Sequence, residues 1–294
     1  GWKIKLESAP LPDGRIKTLH VAIEEQQFLF FDRIINAEVY TFPKIMPTLK
    51  AEAENRVVCV PGPGGRANWA TIIADRIPNL SLTSLDTFQC LPFYIYDEDG
   101  SNRRENITDW ALEQFRTHYG RRASQRKRDV TDAKSDAKTK AKTRRADAST
   151  LAVGERDITK WDIFHYVYGL LHHPGYRTKF ADNLKRELPR IPFAPDFWAF
   201  ADAGKELARL HLDYEKLEPH ELNFIETPGV PLSYRVEDKM RLAKDKTSLK
   251  VNPSLTLASI PKEVFDYRLG NRSALDWVID QYQVSEDKRS GIRS

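Results

Sequence analysis

A glycine-rich loop is the first segment of this sequence whose residues could contact a phosphate. Five residues carry that chemistry: Gly62, Gly64, Gly65, Arg66 and Asn68. Such loops present backbone amides, and here a cation, to phosphate oxygens. The loop lacks the Lys-Ser/Thr pair of a P-loop and the spacing of a dinucleotide fingerprint, and Pro63 removes one amide. We interpret it as a backbone-plus-Arg66 contact to a nucleic-acid phosphate, with an ordinary loop as the alternative.

A basic segment at residues 121–150 is a second candidate for contact with a polyanion. It holds eleven basic and four acidic residues, a net charge of +7, whereas the other 264 residues together carry −3. It has no aromatic residue, Leu, Ile or Met, so it cannot bury enough apolar surface to offset its ordering entropy. It is either a nucleic-acid arm or a solvated loop. Its first cations are candidate contacts: Arg121, Arg122, Arg126, Lys127 and Arg128.

Two lysines near the C-terminal end complete the candidate contacts. Lys246 and Lys250 lie in and after the turn at Asp245. Arg66 could pair with guanine and Asn68 with adenine, because their side chains match the edges of those bases. The alternative is that all four side chains contact only phosphate or solvent.

The histidines and acidic residues do not form a recognisable catalytic or metal site. His165 and His172 are seven residues apart, and neither has the i, i+4 partner of a zinc helix. The sequence contains no Gly-x-Ser-x-Gly elbow, no nuclease pattern of the Pro-Asp…Asp/Glu-x-Lys kind, and no adenosylmethionine or Asn/Asp-Pro-Pro-aromatic motif. We therefore expect no catalytic residue and no metal ligand in this chain, and an independent nuclease is the least favoured alternative.

The elements that must position these candidates are predicted mainly as strands before the basic segment. Residues 2–6 alternate with period two, and the apolar runs 28–31, 56–60 and 90–96 have strand length. A proline in the last run suggests an edge strand or a bulge. Thr108 caps a predicted helix that ends with Gly120 as its stop.

Helices dominate after the basic segment. Thr159 with Asp162 forms a capping-box pattern at the start of a mostly apolar helix. Further helices are predicted at 177–188 and at 197–212, the second capped by Asp196, and a last helix is predicted with Ser273 and Asp276 as its capping pair. Strands and turns are predicted over 234–258. Four residues at helical spacing predict one buried stripe: Trp161, Phe164, Tyr168 and Leu171.

These elements predict a mixed α+β fold, with a strand-rich N-terminal part, a helical middle, and C-terminal strands plus a helix. The predicted units are 1–120, 121–150 (a flexible basic insert), 151–232 and 233–294. With 40% hydrophobic and 11% aromatic residues, the composition excludes a fully disordered chain. No run of eighteen apolar residues predicts a membrane span, and two cysteines indicate a reducing, cytoplasmic location. The polar end and the missing initiator Met suggest a piece of a longer protein.

Several stretches of the sequence together resemble a known family. They are Phe30–Tyr40 with Pro43, Glu54–Gly62, Asp75–Leu80, Gln89–Tyr94, Ile158–Tyr168, His172–Pro174 with Tyr176 and Arg177, Ile191–Pro192 and Asn271–Val284. In combination they resemble the C-terminal portion of type ISP restriction–modification enzymes. Those enzymes are single polypeptides with nuclease, helicase-like ATPase, adenine methyltransferase and target-recognition parts. The basic insert departs from the family pattern.

The resemblance implies a specificity region that reads a short asymmetric sequence in double-stranded DNA and directs adenine methylation and restriction. The implied partners are DNA and the upstream methyltransferase and helicase domains of the same polypeptide. The implied cofactors, S-adenosylmethionine, ATP and Mg, belong to those other domains and not to this chain. The alternative is a helical spacer or docking module of the same enzyme that makes no base readout.

Overall fold

The computed structural model describes residues 16–22, 25–30, 40–64, 69–79, 88–120, 156–236, 239–269, 272–284 and 291. The N-terminal elements are β1 (Ile16–Ala22), β2 (Glu25–Phe30), α1 (Phe42–Ile45), α2 (Leu49–Glu54), β3 (Val57–Pro61), β4 (Ile72–Ala74), β5 (Ile77–Pro78), β6 (Phe88–Pro92), β7 (Tyr94–Ile95) and β8 (Arg104–Glu105). In one sheet β3 lies between β4 and β6, and in another β1 lies between β2 and β5. The mixed α+β fold is therefore confirmed.

The apolar runs at 28–31 and 56–60 coincide with β2 over 28–30 and with β3 over 57–60. The 90–96 segment was predicted as an edge strand or a bulge, and among the described strands β6 lies at a sheet edge, since it pairs there with β3 alone. The single strand predicted over 90–96 is wrong, because the chain breaks between β6 and β7. At the break, the Asn55 amide donates to the carbonyl of Tyr94 and its oxygen accepts from the Tyr94 amide, both at 2.9 Å. The Asn55 side chain thus makes the two hydrogen bonds to the Tyr94 backbone that a neighbouring strand would otherwise make. The predicted strand at 2–6 lies outside the described residues.

The helices that follow are α3 (109–120), α4 (Lys160–His172), α5 (Pro174–Lys179), α6 (Ala181–Arg186), α7 (Phe197–Leu212) and α8 (Ala274–Gln281). The capping boxes of α4 and α8 are confirmed, because Thr159 and Ser273 each exchange hydrogen bonds with the Asp three residues on. The Asp196 cap of α7 is also confirmed.

Two predicted helix boundaries are wrong. Gly120 is still helical and has no positive φ, so it does not end α3 as a left-handed cap would. The helix predicted at 177–188 begins at Pro174, where a proline is tolerated because its missing amide hydrogen would have no helical partner. It also divides at Phe180, whose backbone leaves the helical region.

Helices α4 and α7 form the centre of the larger core. Their backbones touch at Gly169 and Gly204, where a Cβ on Gly204 would lie 1.9 Å from the carbonyl oxygen of His165. Phe164, Tyr168 and Leu171 of the predicted stripe are buried, whereas Trp161 is half-buried and lines a cleft of about 310 Å³. The same core includes Val58, Val60, Ile73 and Phe93 from the N-terminal sheet and its edge.

The C-terminal strands form one antiparallel sheet in the order β10-β11-β12-β9. These strands are β9 (Asn223–Glu226), β10 (Arg241–Leu242), β11 (Ser248–Lys250) and β12 (Leu255–Ala258), and a hairpin of β13 (Arg268–Leu269) and β14 (Arg272–Ser273) leads into α8. The sequence interpretation missed β9, which pairs with β12 across the predicted boundary at 232/233. The predicted division into units remains a prediction.

Candidate nucleic-acid interface

The glycine loop begins where β3 ends. Residues on the two sides of its centre, Gly64 and Trp69, are hydrogen-bonded to helices α6 and α5, respectively. The Gly64 amide donates to the carbonyl of Lys185 at 2.7 Å, and Arg177 donates to the carbonyl of Trp69 at 2.6 Å. Gly62 is buried, whereas Gly64 is exposed with a left-handed φ of 81°. The Gly64 amide is therefore already used inside the protein and is not free to bind a phosphate.

Three predicted residues of this loop, Gly65, Arg66 and Asn68, lie outside the described residues. The described surface beside the loop is cationic, because Lys185 and Arg186 at the end of α6 are exposed. Neither of these two cations forms an ion pair with a side chain in the described part of the chain. The end of α6 thus places these two charges next to Gly64, one end of the segment that carries Arg66 and Asn68.

The C-terminal sheet presents a second cationic surface, which the strand register defines. Arg241, Lys250, Thr256 and Ile225 lie directly opposite one another across β10, β11, β12 and β9. We call these four residues the outer row. Directly opposite residues in an antiparallel sheet share one face, and neighbouring strands are about 4.8 Å apart. The outer row therefore places two cations side by side, followed by a hydroxyl and an apolar side chain.

The opposite face of this sheet explains why the outer row faces solvent. Leu242 and Leu249, adjacent to Arg241 and Lys250 in sequence, pack into an apolar cluster with Ile260 and Ile279. Successive side chains of a strand point to opposite faces, so burial of the leucines directs the two cations outward. Both Arg241 and Lys250 are exposed.

The two predicted lysines occupy different environments. Lys250 belongs to the outer row, whereas Lys246 lies in the β10–β11 turn with a φ of 61°. The Lys246 ammonium lies 4.7 Å from the ring centroid of Phe265, which packs against the apolar cluster. This cation–π contact stabilises the turn. The residue beside Lys250 is Arg241, which the sequence interpretation missed. The alternation of apolar Met240, charged Arg241 and apolar Leu242 could have indicated a strand with Arg241 on its exposed face.

The cations of this hairpin also differ from others on the surface in having no acidic partner. In the described ranges, no carboxylate lies within ion-pair distance of Arg241, Lys244 or Lys250. By contrast, Lys160 lies 2.6 Å from Asp109 and 3.0 Å from Glu105. The hydrogen bond with Asp109, followed by the one with Glu105, raises the pKa of Lys160. Lys160 is neutralised within the protein, whereas Arg241, Lys244 and Lys250 have no such carboxylate among the described residues.

A chain of hydrogen bonds joins the C-terminal part to the helical core. His211 on α7 lies between the hydroxyls of Tyr168, at 2.5 Å, and Tyr267, at 2.8 Å. Burial, with a smaller contribution from His172, lowers the pKa of His211 to about 4. The neutral imidazole therefore donates to one hydroxyl and accepts from the other. Through Tyr267 this contact positions the segment that follows the C-terminal sheet against α4 and α7.

Comparison with models of known protein families identifies the family of this chain. A model described as the type ISP C-terminal specificity domain matches residues 25–294. The chain belongs to this family. The match extends across the β10–β11 hairpin, the helical core and the glycine loop, so both cationic surfaces are parts of the specificity domain.

Solved structures similar to the specificity domain carry related descriptions. One is a DrdV–DNA complex, with 32% identity and a TM-score of 0.73, covering 96% of this chain and 25% of that one. Another is a nuclease-deletion mutant of the type ISP restriction–modification enzyme LlaGI in complex with a DNA substrate mimic, with 26% identity and a TM-score of 0.67, covering 99% and 22%. A third, the ATP-dependent type ISP enzyme LlaBIII bound to DNA, shares the fold at 23% identity and a TM-score of 0.71, covering 98% and 16%.

The specificity domain spans about a quarter or less of the length of each of these structures. No curated protein matches its sequence. Across the described residues, no three His, Cys, Asp or Glu side chains are grouped as metal ligands, and no helix is long and apolar enough to cross a bilayer. The insert cations Arg121, Arg122, Arg126, Lys127 and Arg128 lie outside the described residues.

Proposed function

We propose that this specificity domain binds double-stranded DNA and reads a short sequence in it. The observation that carries the proposal is the outer row, in which Arg241 and Lys250 lie side by side, exposed and without an acidic partner in the described structure. Unneutralised cations favour a polyanion because binding releases counterions from the phosphates. The relatives DrdV and LlaGI, both described in complexes with DNA or its mimic, support the same conclusion.

The proposed contact surface combines the two cationic regions. Arg241 and Lys250 would bind phosphates and fix the position of the domain on the duplex. Arg66 and Asn68 would read base edges, because both ends of their segment, at Gly64 and Trp69, are held by α5 and α6. Gly62, Gly64 and Gly65 would shape that loop, and Lys246 would support the hairpin turn.

The whole polypeptide to which this domain belongs is proposed to be a type ISP restriction–modification enzyme of the cytoplasm. Its upstream methyltransferase and helicase domains would be the intramolecular partners of this domain. They would use S-adenosylmethionine, ATP and Mg for adenine methylation and restriction, and the specificity domain would determine where on the DNA they act.

The test is selection of duplexes from a randomised pool by the purified domain. Because no recognition sequence is needed in advance, enrichment of one asymmetric sequence over several rounds is the expected result. The selected duplex should then bind more tightly than a shuffled duplex of the same composition. Retention of the pool without enrichment would contradict base readout, and no retention at any salt concentration would contradict DNA binding.

A second candidate function is the docking module without base readout, and one observation favours it. The edge strand β9 exposes Phe224 and Ile225, and the segment after it exposes Leu232 and Tyr234. An exposed apolar edge of this kind is typical of a protein–protein contact. Retention of the random pool without enrichment, together with binding of the isolated methyltransferase part that Ile225→Ser abolishes, would favour docking.

A further inference from the structure

The two cysteines of the chain are paired across the N-terminal sheet. Cys59 on β3 lies directly opposite Cys90 on β6, although 31 residues separate them in sequence. Their sulfur atoms are 4.0 Å apart, and both are free thiols. The chain has no other cysteine. The fold therefore brings every thiol of the protein to one place.

The backbone at this place already has the geometry that a disulfide requires. Directly opposite residues of antiparallel strands have Cα atoms about 4.5–5.5 Å apart, within the range of about 4.4–6.8 Å that disulfides span. The flanking pairs, Val58 with Leu91 and Val60 with Gln89, keep the two strands in register. Rotation of the two side chains is enough to bring the sulfurs to bonding distance.

The two thiols differ in access to a reagent. Cys59 is only 3% exposed, whereas Cys90 is half-buried on the edge strand β6. The hydrogen bond with Cys90, followed by burial, raises the pKa of the Cys59 thiol well above its usual range. Cys90 is therefore the thiol that a small oxidant reaches first, and Cys59 is the one that follows.

We propose that Cys59 and Cys90 form a redox site, which a peroxide oxidises reversibly to an intramolecular disulfide. Cys90 loses its thiol proton and the thiolate attacks hydrogen peroxide, so that an S–O bond forms, the O–O bond breaks, and the leaving hydroxide takes up that proton as water. Cys59 then attacks the sulfur of the sulfenic acid: the S–S bond forms, the S–O bond breaks, and the departing hydroxide takes the Cys59 proton as water. Two thiols are oxidised and one peroxide is reduced to two waters.

The disulfide closes a loop that contains the glycine loop, β4 and β5. A cross-link of this kind restricts the unfolded chain and so raises the denaturant midpoint of the oxidised protein. In a reducing compartment the dithiol is the resting form. This inference concerns sulfur chemistry alone, so its test does not depend on DNA binding.

The experiment treats the full chain with one equivalent of hydrogen peroxide and measures intact mass and titratable thiols after denaturation. We expect loss of both thiols, a mass lower by two hydrogen atoms, and a peptide that links Cys59 to Cys90. Dithiothreitol should restore both thiols. A mass increased by oxygen atoms, or a disulfide between two molecules, would overturn the proposal.

Two variants separate the roles of the thiols. Cys90→Ser should leave Cys59 titratable after the same treatment, because a buried thiol without its neighbour is not attacked. Cys59→Val should leave a sulfenic acid at Cys90 that dimedone labels. Circular dichroism checks the fold of both, and Cys90→Ser alone is decisive if Cys59→Val does not fold. Equal oxidation of Cys59 in wild type and Cys90→Ser would contradict the assigned order.

Discussion

The backbones of α4 and α7 touch at Gly169 and Gly204. On the outer face of the C-terminal sheet, by contrast, Arg241 and Lys250 lie side by side with no carboxylate partner in the described structure. The helical interface buries aromatic side chains, and its ionisable His211 is held neutral. The sheet face leaves two positive charges next to each other in water. The difference teaches that substitutions in the first region should change stability, and substitutions in the second should change DNA affinity with little effect on stability.

The largest expected effect is on stability, at the centre of the helical core. Phe164→Ala should lower the free energy of unfolding by about 3–5 kcal/mol, because Phe164 is buried against Phe93 and Trp161. Urea denaturation measures it. Trp110→Ala is the control, since Trp110 is 72% exposed and its loss should cost less than about 0.5 kcal/mol. Equal losses in the two variants would contradict the assignment of Phe164 to the core.

A methyl group at the helix contact tests how closely the two backbones fit. Gly204→Ala should cost about 3 kcal/mol, because its Cβ would collide with the His165 carbonyl and lie 2.8 Å from the Gly169 amide nitrogen. The control is Gly120→Ala, where no atom lies within 4 Å of the added carbon and the change should be neutral or slightly stabilising. A thermal midpoint unchanged in Gly204→Ala would show that the helices do not touch there.

Acid should weaken the same region through His211. The pKa of His211 is 6.5 in the unfolded chain and about 4 in the folded protein, so between these pH values the unfolded chain binds the proton more readily. The free energy of unfolding is therefore highest above pH 6.5 and decreases as the pH falls. At pH 4 the loss is roughly 3 kcal/mol. His211→Gln should flatten the stability profile between these pH values. A profile as steep as that of the wild type would assign the acid sensitivity elsewhere.

Deleting residues 121–148 should produce the largest effect on binding, because it removes eleven cations at once. If three to five of them neutralise phosphates, the slope of log K against log salt should become shallower by about 3 to 4.5. Cognate and shuffled duplexes should weaken by similar factors, so sequence preference should survive. A slope that stays the same after the deletion would make the segment a solvated loop.

The smallest effect concerns the outer row itself. Arg241→Ala with Lys250→Ala should reduce the salt slope by about 2, with urea midpoints unchanged. The matched control is Arg103→Ala with Arg104→Ala, which removes the same charge from residues paired with Glu54 and Asp97. That control should leave the slope nearly unchanged. Equal slopes for the two double variants would mean that net charge, and not the outer row, attracts DNA.

The sequence predicts best those elements whose signals are local. The capping boxes at Thr159 and Ser273 span only four residues each, and both are present. Strand β9 was missed because its four residues are all exposed, which hides any alternation, and because its partner β12 lies some thirty residues further on. The break at Phe93 depends on the distant Asn55 side chain and is equally invisible.

In the candidate site, too, the sequence predicts the residues with local signals and misses those that depend on distant parts of the chain. Lys250 stood out as a cation after a turn, but Arg241 becomes its neighbour only through the register of β10 and β11. Lys246 looked equivalent to Lys250 until the fold placed it over Phe265. The internal use of the Gly64 amide depends on α6, which approaches the loop from more than a hundred residues away.

The pairing of β9 with β12 also sets an order of assembly for the C-terminal sheet. Strands β10, β11 and β12 join through short turns, whereas β9 must wait until residues 255–258 exist and the intervening chain has closed on itself. During synthesis β9 therefore emerges before its partner, with the backbone hydrogen-bonding groups on both of its sides unpaired. A chain that stops before Leu255 keeps both sides of that strand unpaired, so residues 255–258 also protect the domain from self-association through β9.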